Sequence, residues 1–315
     1  MRVEETNAEA LRAKRAAVEL GYMPDPFIAH LAPRPAKGDF IMNRGYWSRS
    51  VVFRALLAAF EAAGGEQALS LGCGLDTLAF KALQGGAGRL RFFECDLAEV
   101  VAQKTALIRA APELLARVEA VAGAAEFPAE GVRCEQYCLF AADLNRPEEL
   151  AARFDAAGLR RELPTLVVAE CVLVYLLPQA VPALRAQLCA HFPRLCLADY
   201  EMLGTASPFS RMMQRNFAQR GIPLLALEHF ADAEGIRRGH AEAGFRETEV
   251  ASMREVYERW LNPAEVRRVA GLEPADEFEE LNLMQEHYFV SVAVTAREGS
   301  LAPLGLAALA GFVER

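Results

Sequence analysis

The sequence predicts a doubly wound α/β fold with a mostly parallel sheet, and two observations carry that prediction. From about residue 66, short β-rich runs alternate with longer helical runs, which is the pattern of a parallel sheet joined by crossover helices. The run 165–171 is apolar almost throughout, as expected of a central strand covered on both faces. Seven strands account for these runs: Gln67–Leu71, Leu90–Cys95, Tyr137–Ala142, Thr165–Cys171, Leu195–Tyr200, Phe245–Met253 and His287–Thr295.

Helical patterns fill the intervals between these strands. Proline lacks a backbone N–H, which costs nothing in the first turn of a helix, so Pro178 is predicted to open the helix after the fourth strand. The predicted helices are one from near Thr77, Leu97–Arg109, Pro147–Ala157, one opened by Pro178, Ser207–Arg220 and Asp232–Ala243.

The chain length suits one large domain. Its 315 residues show no internal repeat and no low-complexity linker. We therefore predict a single domain over 1–315. Within it, 1–60 forms an N-terminal helical cap, 66–201 the core that binds a cofactor, and 202–300 further cap helices and the remaining strands.

Charge and apolar pattern argue against two classes of function. The net charge is −8, so the surface as a whole should repel a phosphate backbone, which argues against general nucleic-acid binding. The longest apolar stretch, Thr165–Leu177, is interrupted by Glu170 and is too short to span a bilayer. The N-terminus is charged and helical, unlike a signal sequence. We expect a soluble protein with no membrane segment.

Cysteine and histidine spacing predicts no metal site. The seven cysteines are scattered without a CxxC pair, and the five histidines form no HxH or HxxxH group. Several cysteines lie in apolar runs, as small buried hydrophobic residues do. The simplest interpretation is a reducing, cytoplasmic location.

A glycine turn, Gly72-Cys73-Gly74, follows the first strand and precedes a helix. Glycines at such a place let the backbone turn tightly and approach a ligand closely. A dinucleotide fingerprint requires a third glycine three residues later, where this chain has Thr77. On its own, the segment is equally well explained as an ordinary tight turn.

Acidic residues at the ends of the next two strands strengthen the prediction of a ligand site. Asp96 lies 22 residues after Gly74, where its carboxylate can accept from ribose hydroxyls. Glu94 is the fallback, and Asp96 also suits a helix N-cap. Asp143 and Leu144 follow the third strand and could bind the exocyclic amine and the ring of a purine, although such a pair is often only a turn.

These loops share the carboxyl edge of the predicted sheet, where ligands bind in doubly wound folds. The missing third glycine and the absence of a phosphate-binding lysine motif favour a nucleoside cofactor without a pyrophosphate. S-adenosylmethionine fits best. Glu170 interrupts the fourth strand, and a carboxylate there must be paired or line a cavity. We expect it to face the cationic methionine part of this cofactor.

The chain resembles the leucine carboxyl methyltransferase family over about residues 10–297. These class I S-adenosylmethionine-dependent enzymes methylate the C-terminal leucine carboxylate of the catalytic subunit of protein phosphatase 2A, which the resemblance implies as the partner. The motifs that carry the resemblance are Ala13-Lys14-Arg15-Ala16, Gly21-Tyr22 with Asp25-Pro26, Asn43-Arg44-Gly45-Tyr46 with Arg49, Gly72 to Thr77, Ala169 to Tyr175, and Asp276 to Glu280 with Glu286-His287-Tyr288.

The resemblance also implies roles for individual residues. Lys14 and Arg49 would bind the carboxylate of the cofactor. Tyr175 and Arg44 would belong to the acceptor pocket, and Arg49, Glu170 and Tyr175 to the reacting centre. The implied cofactor contacts are Gly72 and Gly74 with the methionine part, Asp96 with the ribose, Asp143 and Leu144 with the adenine, and Glu170 with the amine.

The chemistry of a carboxylate acceptor agrees with these roles. A C-terminal carboxyl has a pKa near 3.5, so it is already an anionic nucleophile at neutral pH and needs no general base. Catalysis should come mainly from alignment, worth roughly 7–11 kcal/mol. We expect the N-terminal helix to fold over the cofactor so that Lys14 reaches it, and the cap to exclude water.

Three alternatives stay open. A sister branch esterifies a carboxylate on a tRNA wybutosine precursor, but its members carry β-propeller repeats that these 315 residues lack. A catalytically inactive, phosphatase-binding scaffold would have no reason to keep every cofactor residue. A small-molecule carboxyl methyltransferase could share them all. The motifs favour the phosphatase branch.

Overall fold

One sheet forms the centre of the molecule. The structure is a computed structural model that describes residues 3–32, 39–85, 89–120, 125–128, 131–274 and 278–313. The described residues form eight strands in the order β3-β4-β2-β1-β5-β6-β8-β7. Their bounds are β1 Gln67–Leu71, β2 Arg91–Asp96, β3 Gly131–Arg133, β4 Tyr137–Ala141, β5 Thr165–Glu170, β6 Leu195–Met202, β7 Glu247–Ser252 and β8 Tyr288–Val294.

Helices connect the strands and cover both faces of the sheet. Apolar side chains of the two faces form two buried clusters, one with α3 and the other with α8. The α-helices are α1 Val3–Glu19, α2 Ile28–Leu31, α3 Phe40–Ala62, α4 Leu78–Gly85, α5 Ala98–Ala110, α6 Pro112–Ala120, α7 Pro147–Ala157, α8 Ala180–His191, α9 Pro208–Gln219, α10 Ala233–Ala243, α11 Met253–Glu255, α12 Pro263–Ala270 and α13 Phe278–Glu286.

The strand pattern confirms the predicted α/β fold with one correction. All seven predicted strands are present, with ends that differ by at most two residues. The sheet has eight strands rather than seven, because β3 pairs antiparallel with β4 at one edge. Three residues are too few to show a period-2 pattern. Gly131 begins β3 at φ 139°, and a Cβ there would lie 1.9 Å from the carbonyl oxygen of Leu139.

Strand direction is also mixed at the other edge. β4, β2, β1, β5 and β6 run parallel. β8 runs antiparallel between β6 and β7. The carboxyl ends of the five parallel strands therefore meet at one edge of the sheet, as the predicted site requires.

The helices differ from the sequence prediction by more than one residue at two places. The helix after β5 begins at Ala180, not at Pro178. The carbonyl of Pro178 instead contacts His229 Nε2 at 2.8 Å, in the turn before the helix. Helix α6, which had no counterpart in the prediction, packs against α4 and α5. The proposed boundaries between cap and core stay a prediction.

Helices α1 and α9 meet near the carboxyl edge of the sheet. Glu9 of α1 and Arg220, directly after α9, form an ion pair that joins them. Eight of the twelve residues of α9 are exposed to solvent, and Ser210 and Met213 are its buried ones. Within the described residues, no helix is both long and apolar enough to cross a membrane.

Candidate active site

A cavity of about 730 Å³ opens at the carboxyl edge of the sheet. This volume is in the usual range for a small-molecule site. The structure brings together on its wall all the residues predicted as cofactor contacts or at the reacting centre: Lys14, Arg49, Gly72, Gly74, Asp96, Asp143, Leu144, Glu170 and Tyr175.

The loop after β1 has a backbone that only glycine accommodates readily. Gly72 and Gly74 have φ values of 58° and 51°. A Cβ at Gly72 would lie 2.6 Å from Cγ1 of Val172, closer than van der Waals contact allows. The two glycines therefore permit both the turn and the close approach of a ligand to the backbone.

Asp96 closes this glycine loop. Its Oδ2 accepts from the backbone N–H of Gly74 at 2.7 Å, and its Oδ1 from that of Leu97 at 2.7 Å. The N-cap residue of α5 is Leu97, and no side chain caps this end of the helix. The alternative role of Asp96 as the N-cap is therefore wrong. Each carboxylate oxygen has a second lone pair, which leaves Asp96 able to accept from a ligand hydroxyl.

Glu94, the fallback for Asp96, lies inside the protein. It is 1% exposed, and its Oε2 lies 2.7 Å from Nζ of Lys104 and accepts from the Tyr137 hydroxyl at 2.6 Å. Lys104 also donates to the backbone carbonyl of Asp76 at 2.8 Å, so this pair supports the glycine loop from behind. Sequence reasoning missed Lys104, although a lysine inside the apolar stripe of the predicted helix was a usable signal.

Lys14 anchors α1 to the glycine loop. Its Nζ donates to Oδ2 of Asp76 at 2.6 Å and to the Thr77 hydroxyl at 3.1 Å, and lies 3.9 Å from Asp25. Burial alone would lower the pKa of Lys14, but the carboxylates of Asp76, Asp25 and Glu170 raise it above its ordinary value. Lys14 therefore stays charged on the cavity wall.

Asp76 is the main partner of Lys14, and the sequence motif did not assign it a role. Burial would raise its pKa, but Lys14 lowers it to about 2. Oδ1 of Asp76 also accepts from the backbone N–H of Leu78 at 2.6 Å, which caps the start of α4. The position of Lys14 thus depends on a carboxylate that is ionised at all ordinary pH values.

Arg49 and Glu170 form an ion pair in the cavity wall. Nε of Arg49 pairs with Oε1 of Glu170, and Nη2 donates to the Glu170 carbonyl at 3.3 Å. The guanidinium lies over the rings of Tyr200 at 4.9 Å and Tyr46 at 5.4 Å. A guanidinium has five N–H donors, so Arg49 can bind Glu170 and still donate to the carboxylate of a ligand.

Asp143 and Leu144 form the far end of the cavity. Oδ1 of Asp143 accepts from the backbone N–H of Asn145 at 2.9 Å, and its side chain is 40% exposed. Leu144 is buried and lines the cavity together with Leu97 and Val100. An exposed carboxylate beside apolar side chains suits a flat heterocycle that carries an amine.

The end of the cavity beyond Glu170 is mainly apolar and aromatic. Tyr200 and Tyr288 stack beside it with ring centroids 5.4 Å apart. Burial is the first cause that raises the pKa of Tyr46, to about 12, so its hydroxyl is neutral at pH 7. We call this part the acceptor half; its residues are Met42, Tyr46, Tyr175, Met202, Phe217, Arg220 and Tyr288. The sequence motifs contain Tyr46 and Tyr288, but only Tyr175 was predicted to have a role in the site.

The placement of Arg44 in the acceptor pocket is wrong. Arg44 is 1% exposed, and its Nη2 donates to the carbonyl of Ala270, the last residue of α12, at 3.2 Å and to that of Glu273 at 3.4 Å. Its guanidinium lies over the ring of Phe40 at 5.3 Å. Arg44 and Arg49 are five residues apart on α3, so they point about 140° apart around the helix axis. Only Arg49 can face the cavity.

The acidic motif of the sequence is partly described. Asp276 and Glu277 lie outside the described residues. Glu279, Glu280 and Glu286 are in α13, and Glu286 pairs with Arg254. Among the described residues of this motif, Tyr288 lines the cavity, whereas Glu286 forms its ion pair at the surface.

The cavity fits the predicted cofactor. The glycine loop accepts a ligand at van der Waals distance, Asp96 and Asp143 offer acceptors at two strand ends, and Arg49 offers donors to a carboxylate. Neighbouring carboxylates also suit the positive charge of a sulfonium. The arrangement can therefore hold a methyl donor with its reacting end toward the acceptor half.

Comparison with curated proteins finds relatives over nearly the whole chain. Human tRNA wybutosine-synthesizing protein 4 is 35% identical over 299 residues, which cover 92% of this chain and 44% of that protein. This chain thus spans less than half the length of that relative. The leucine carboxyl methyltransferase 1 homolog of Arabidopsis thaliana is 33% identical over 306 residues, covering 96% of this chain and 92% of that protein.

Two further comparisons address fold and family. A solved Thermobifida fusca protein described as a methyltransferase superposes with a TM-score of 0.53 at 17% identity, covering 90% of this chain and 93% of that one. At that identity the likeness shows the fold alone. A family model described as leucine carboxyl methyltransferase matches residues 3–189, more than half of the chain. The chain therefore belongs to the leucine carboxyl methyltransferase family, whose methyl donor is S-adenosylmethionine.

Proposed function

We propose that this enzyme transfers a methyl group from S-adenosylmethionine to the α-carboxylate of the C-terminal leucine of the protein phosphatase 2A catalytic subunit, forming a methyl ester. The relatives named leucine carboxyl methyltransferase 1 support a leucine carboxylate as the acceptor, and the family resemblance of the sequence implies the phosphatase. The observation that carries the proposal is the acceptor half, where apolar and aromatic side chains lie next to the half-buried Arg49. That combination suits a leucine side chain next to a carboxylate.

The cofactor half would position the methyl donor. When bound, S-adenosylmethionine supplies an electrophilic methyl group on a cationic sulfur. Gly72 and Gly74 would lie against its methionine part, Asp96 would bind the ribose, and Asp143 with Leu144 the adenine. Lys14 and Arg49 would hold its carboxylate, as the family motifs imply, and Glu170 would accept from its amine.

The acceptor half would hold the nucleophile. The acceptor carboxylate is ionised at neutral pH, so no residue has to remove a proton. Arg49 and Arg220 are the cavity-lining arginines that could balance its charge. In the displacement, a carboxylate oxygen forms a bond to the methyl carbon while the carbon–sulfur bond breaks. The main contribution of the protein is then alignment of the two groups.

The two cap helices would keep water out of the reaction. Glu9 and Arg220 both line the cavity and join α1 to the end of α9 by an ion pair. Removing water from around a carboxylate makes it a stronger nucleophile. The proposal includes a role in phosphatase regulation and a cytoplasmic location. All seven cysteines are free thiols, which is compatible with a reducing compartment.

Carboxyl methylation of a tRNA wybutosine precursor is the second candidate. It is favoured by the 35% identity with human tRNA wybutosine-synthesizing protein 4. The segment 203–227 also contains three arginines and no acidic residue in a chain of net charge −8, which would suit a phosphate backbone near the cavity.

Methyl transfer from labelled S-adenosylmethionine tests both candidates. The acceptors are the intact phosphatase 2A catalytic subunit, the same subunit without its terminal leucine, and precursor tRNA. We expect base-labile label on the intact subunit only. Label on the tRNA would replace the proposed acceptor by the second one. Tight cofactor binding with no label on any acceptor, but capture of the phosphatase, would instead support an inactive scaffold.

A further inference from the structure

A buried carboxylate, Glu201, lies directly behind one wall of the cavity. It is on β6 and is 0% exposed. Its Oε1 accepts from the backbone N–H groups of Val172 at 2.7 Å and Leu173 at 2.6 Å. These donors open the 3₁₀ turn Leu173–Tyr175, where the first N–H groups have no carbonyl partner inside the turn. Glu201 of β6 therefore caps a turn that follows the neighbouring strand, β5.

The capped segment connects the two halves of the cavity. Glu170 lies at its beginning and Tyr175 at its end, and both line the cavity. Between them, the side chain of Val172 lies against Gly72, so that a Cβ on that glycine would be 2.6 Å from it. A shift of Val172 would consequently change the contact with the glycine loop and the position of Tyr175.

The segment also contains a strained residue. Cys171 has φ 58°, and it is the only described residue other than glycine with a positive φ. Such a conformation costs of order 1–3 kcal/mol and persists only when neighbouring contacts hold it. Cys171 N–H donates to the carbonyl of Tyr200 at 2.7 Å. Two consecutive residues of β6, Tyr200 and Glu201, thus hold consecutive parts of the turn.

Burial makes a carboxylate at position 201 costly. In the described residues, Oε2 of Glu201 has no hydrogen-bond partner. An unpaired buried polar atom destabilises a fold, so packing alone would favour an apolar side chain at this place. Oε1 accepts hydrogen bonds from two backbone N–H groups, which an apolar side chain could not do. These two hydrogen bonds are a specific reason for a carboxylate at this position.

We propose that Glu201 is a positioning residue for methyl transfer, which fixes the turn from Cys171 to Tyr175 and thereby the places of Val172 and Tyr175 on the cavity wall. It contacts neither substrate. Because Glu170 is held by β5 and by Arg49, loss of Glu201 should disturb the acceptor half more than the cofactor half. The turnover consequence rests on the proposed function, whereas the effect on the turn does not.

Three variants test the proposal. Glu201→Leu fills the space without an acceptor atom, Glu201→Gln keeps an acceptor oxygen, and Asp199→Asn changes another buried carboxylate of β6, which is bonded to Ser291 instead. Amide hydrogen exchange at Val172 and Leu173 reports the turn. The Kd of S-adenosylhomocysteine reports the cofactor half, and kcat and KM report the reaction. If the leucine variant fails to fold, Glu201→Ala replaces it.

We expect Glu201→Leu to lose protection at both amides and to lower kcat by on the order of 10- to 100-fold, with the Kd of S-adenosylhomocysteine within about threefold. Glu201→Gln should restore most of the amide protection and most of kcat. Asp199→Asn should change neither the amide protection nor kcat. Unchanged exchange in Glu201→Leu, or equal losses in Asp199→Asn, would overturn the proposal. If the wild type methylates neither the phosphatase nor the tRNA, the proposed function fails, and exchange still decides the role of Glu201.

Discussion

The two halves of the cavity are assembled in different ways. The cofactor half comes from three loops that each follow a parallel strand, with Gly72 after β1, Asp96 at the end of β2 and Asp143 after β4. The acceptor half collects residues that are far apart in sequence, such as Tyr46 of α3 and Tyr288 of β8. A site at one edge of a parallel sheet follows from the strand pattern, whereas a site between distant elements depends on how they pack.

The largest expected effect comes from the buried pair beneath the cofactor half. Lys104→Met leaves Glu94 buried without its cation, which should lower the free energy of unfolding by about 3–5 kcal/mol. Urea unfolding measures this loss. The double variant Lys104→Met with Glu94→Gln should recover much of it, since no uncompensated charge is left and Gln can still accept from Tyr137. An equal loss in both variants would contradict a dominant role for the ion pair.

A substitution in the glycine loop should act first on the cofactor half. Gly72→Ala places a Cβ 2.6 Å from Val172 in a backbone of φ 58°. We expect the Kd of S-adenosylhomocysteine, measured by calorimetry, to rise on the order of 10- to 100-fold, as overpacking costs about 1–3 kcal/mol. Gly64→Ala is the matched control, because Gly64 also has a positive φ, 81°, but nothing within 4 Å of its Cβ position. Equal weakening of cofactor binding by both substitutions would mean that backbone strain at a positive φ, rather than the close contact at Gly72, causes the effect.

The stability of the protein should depend on pH through Glu201, which lies behind the acceptor half. Burial raises the pKa of Glu201 to about 8, although the N–H groups of Val172 and Leu173 lower it. The folded protein thus keeps this proton to a higher pH than the unfolded chain, whose ordinary pKa is 4.5. Stability should therefore fall as pH rises from about 4.5 to about 8, by at most about 1.4 kcal/mol per pH unit for one proton.

Glu201→Gln isolates this dependence, because it removes the titrating group and keeps the acceptor. The groups whose charge acts on Glu201 are Cys171, Tyr175, Arg185, Asp199 and Tyr288, and both proteins contain them. The difference in unfolding free energy between wild type and variant should slope in favour of the variant as pH rises. Parallel profiles would mean that Glu201 does not titrate in this range.

The smallest effect is expected where α1 meets α9 above both halves. Arg220→Ala removes an ion pair whose side chains are 35% and 51% exposed, and such pairs are worth about 0–1 kcal/mol. We expect cofactor dissociation, followed by stopped flow, to accelerate about two- to fivefold at low salt and less at high salt. Arg211→Ala is the control, because Arg211 lies within α9 and donates to the carbonyl of nearby Ala206, and it should show no such change.

Much of the cofactor half could be predicted because its residues follow strands with a clear pattern. The bounds of β1 were predicted without error, and Asp96 and Asp143 were predicted at strand ends and lie there. The antiparallel edge strand β3 could not be predicted, since three residues carry no period. The partners of Lys14 were likewise unpredictable, because Asp25 and Asp76 reach it only after α1 folds onto the glycine loop.

The sequence by itself determined the sheet, the glycine turn and the family, because strand periodicity, backbone freedom at glycine and a long set of motifs are local properties of the chain. The tertiary structure decided which charges meet. Glu94 and Asp96 are two residues apart, yet one is buried with Lys104 and the other lines the cavity. Arg44 and Arg49 lie on one helix, yet only Arg49 faces the cavity. A side chain's partner depends on what packs against its face of the helix or strand, and that is a long-range property of the fold.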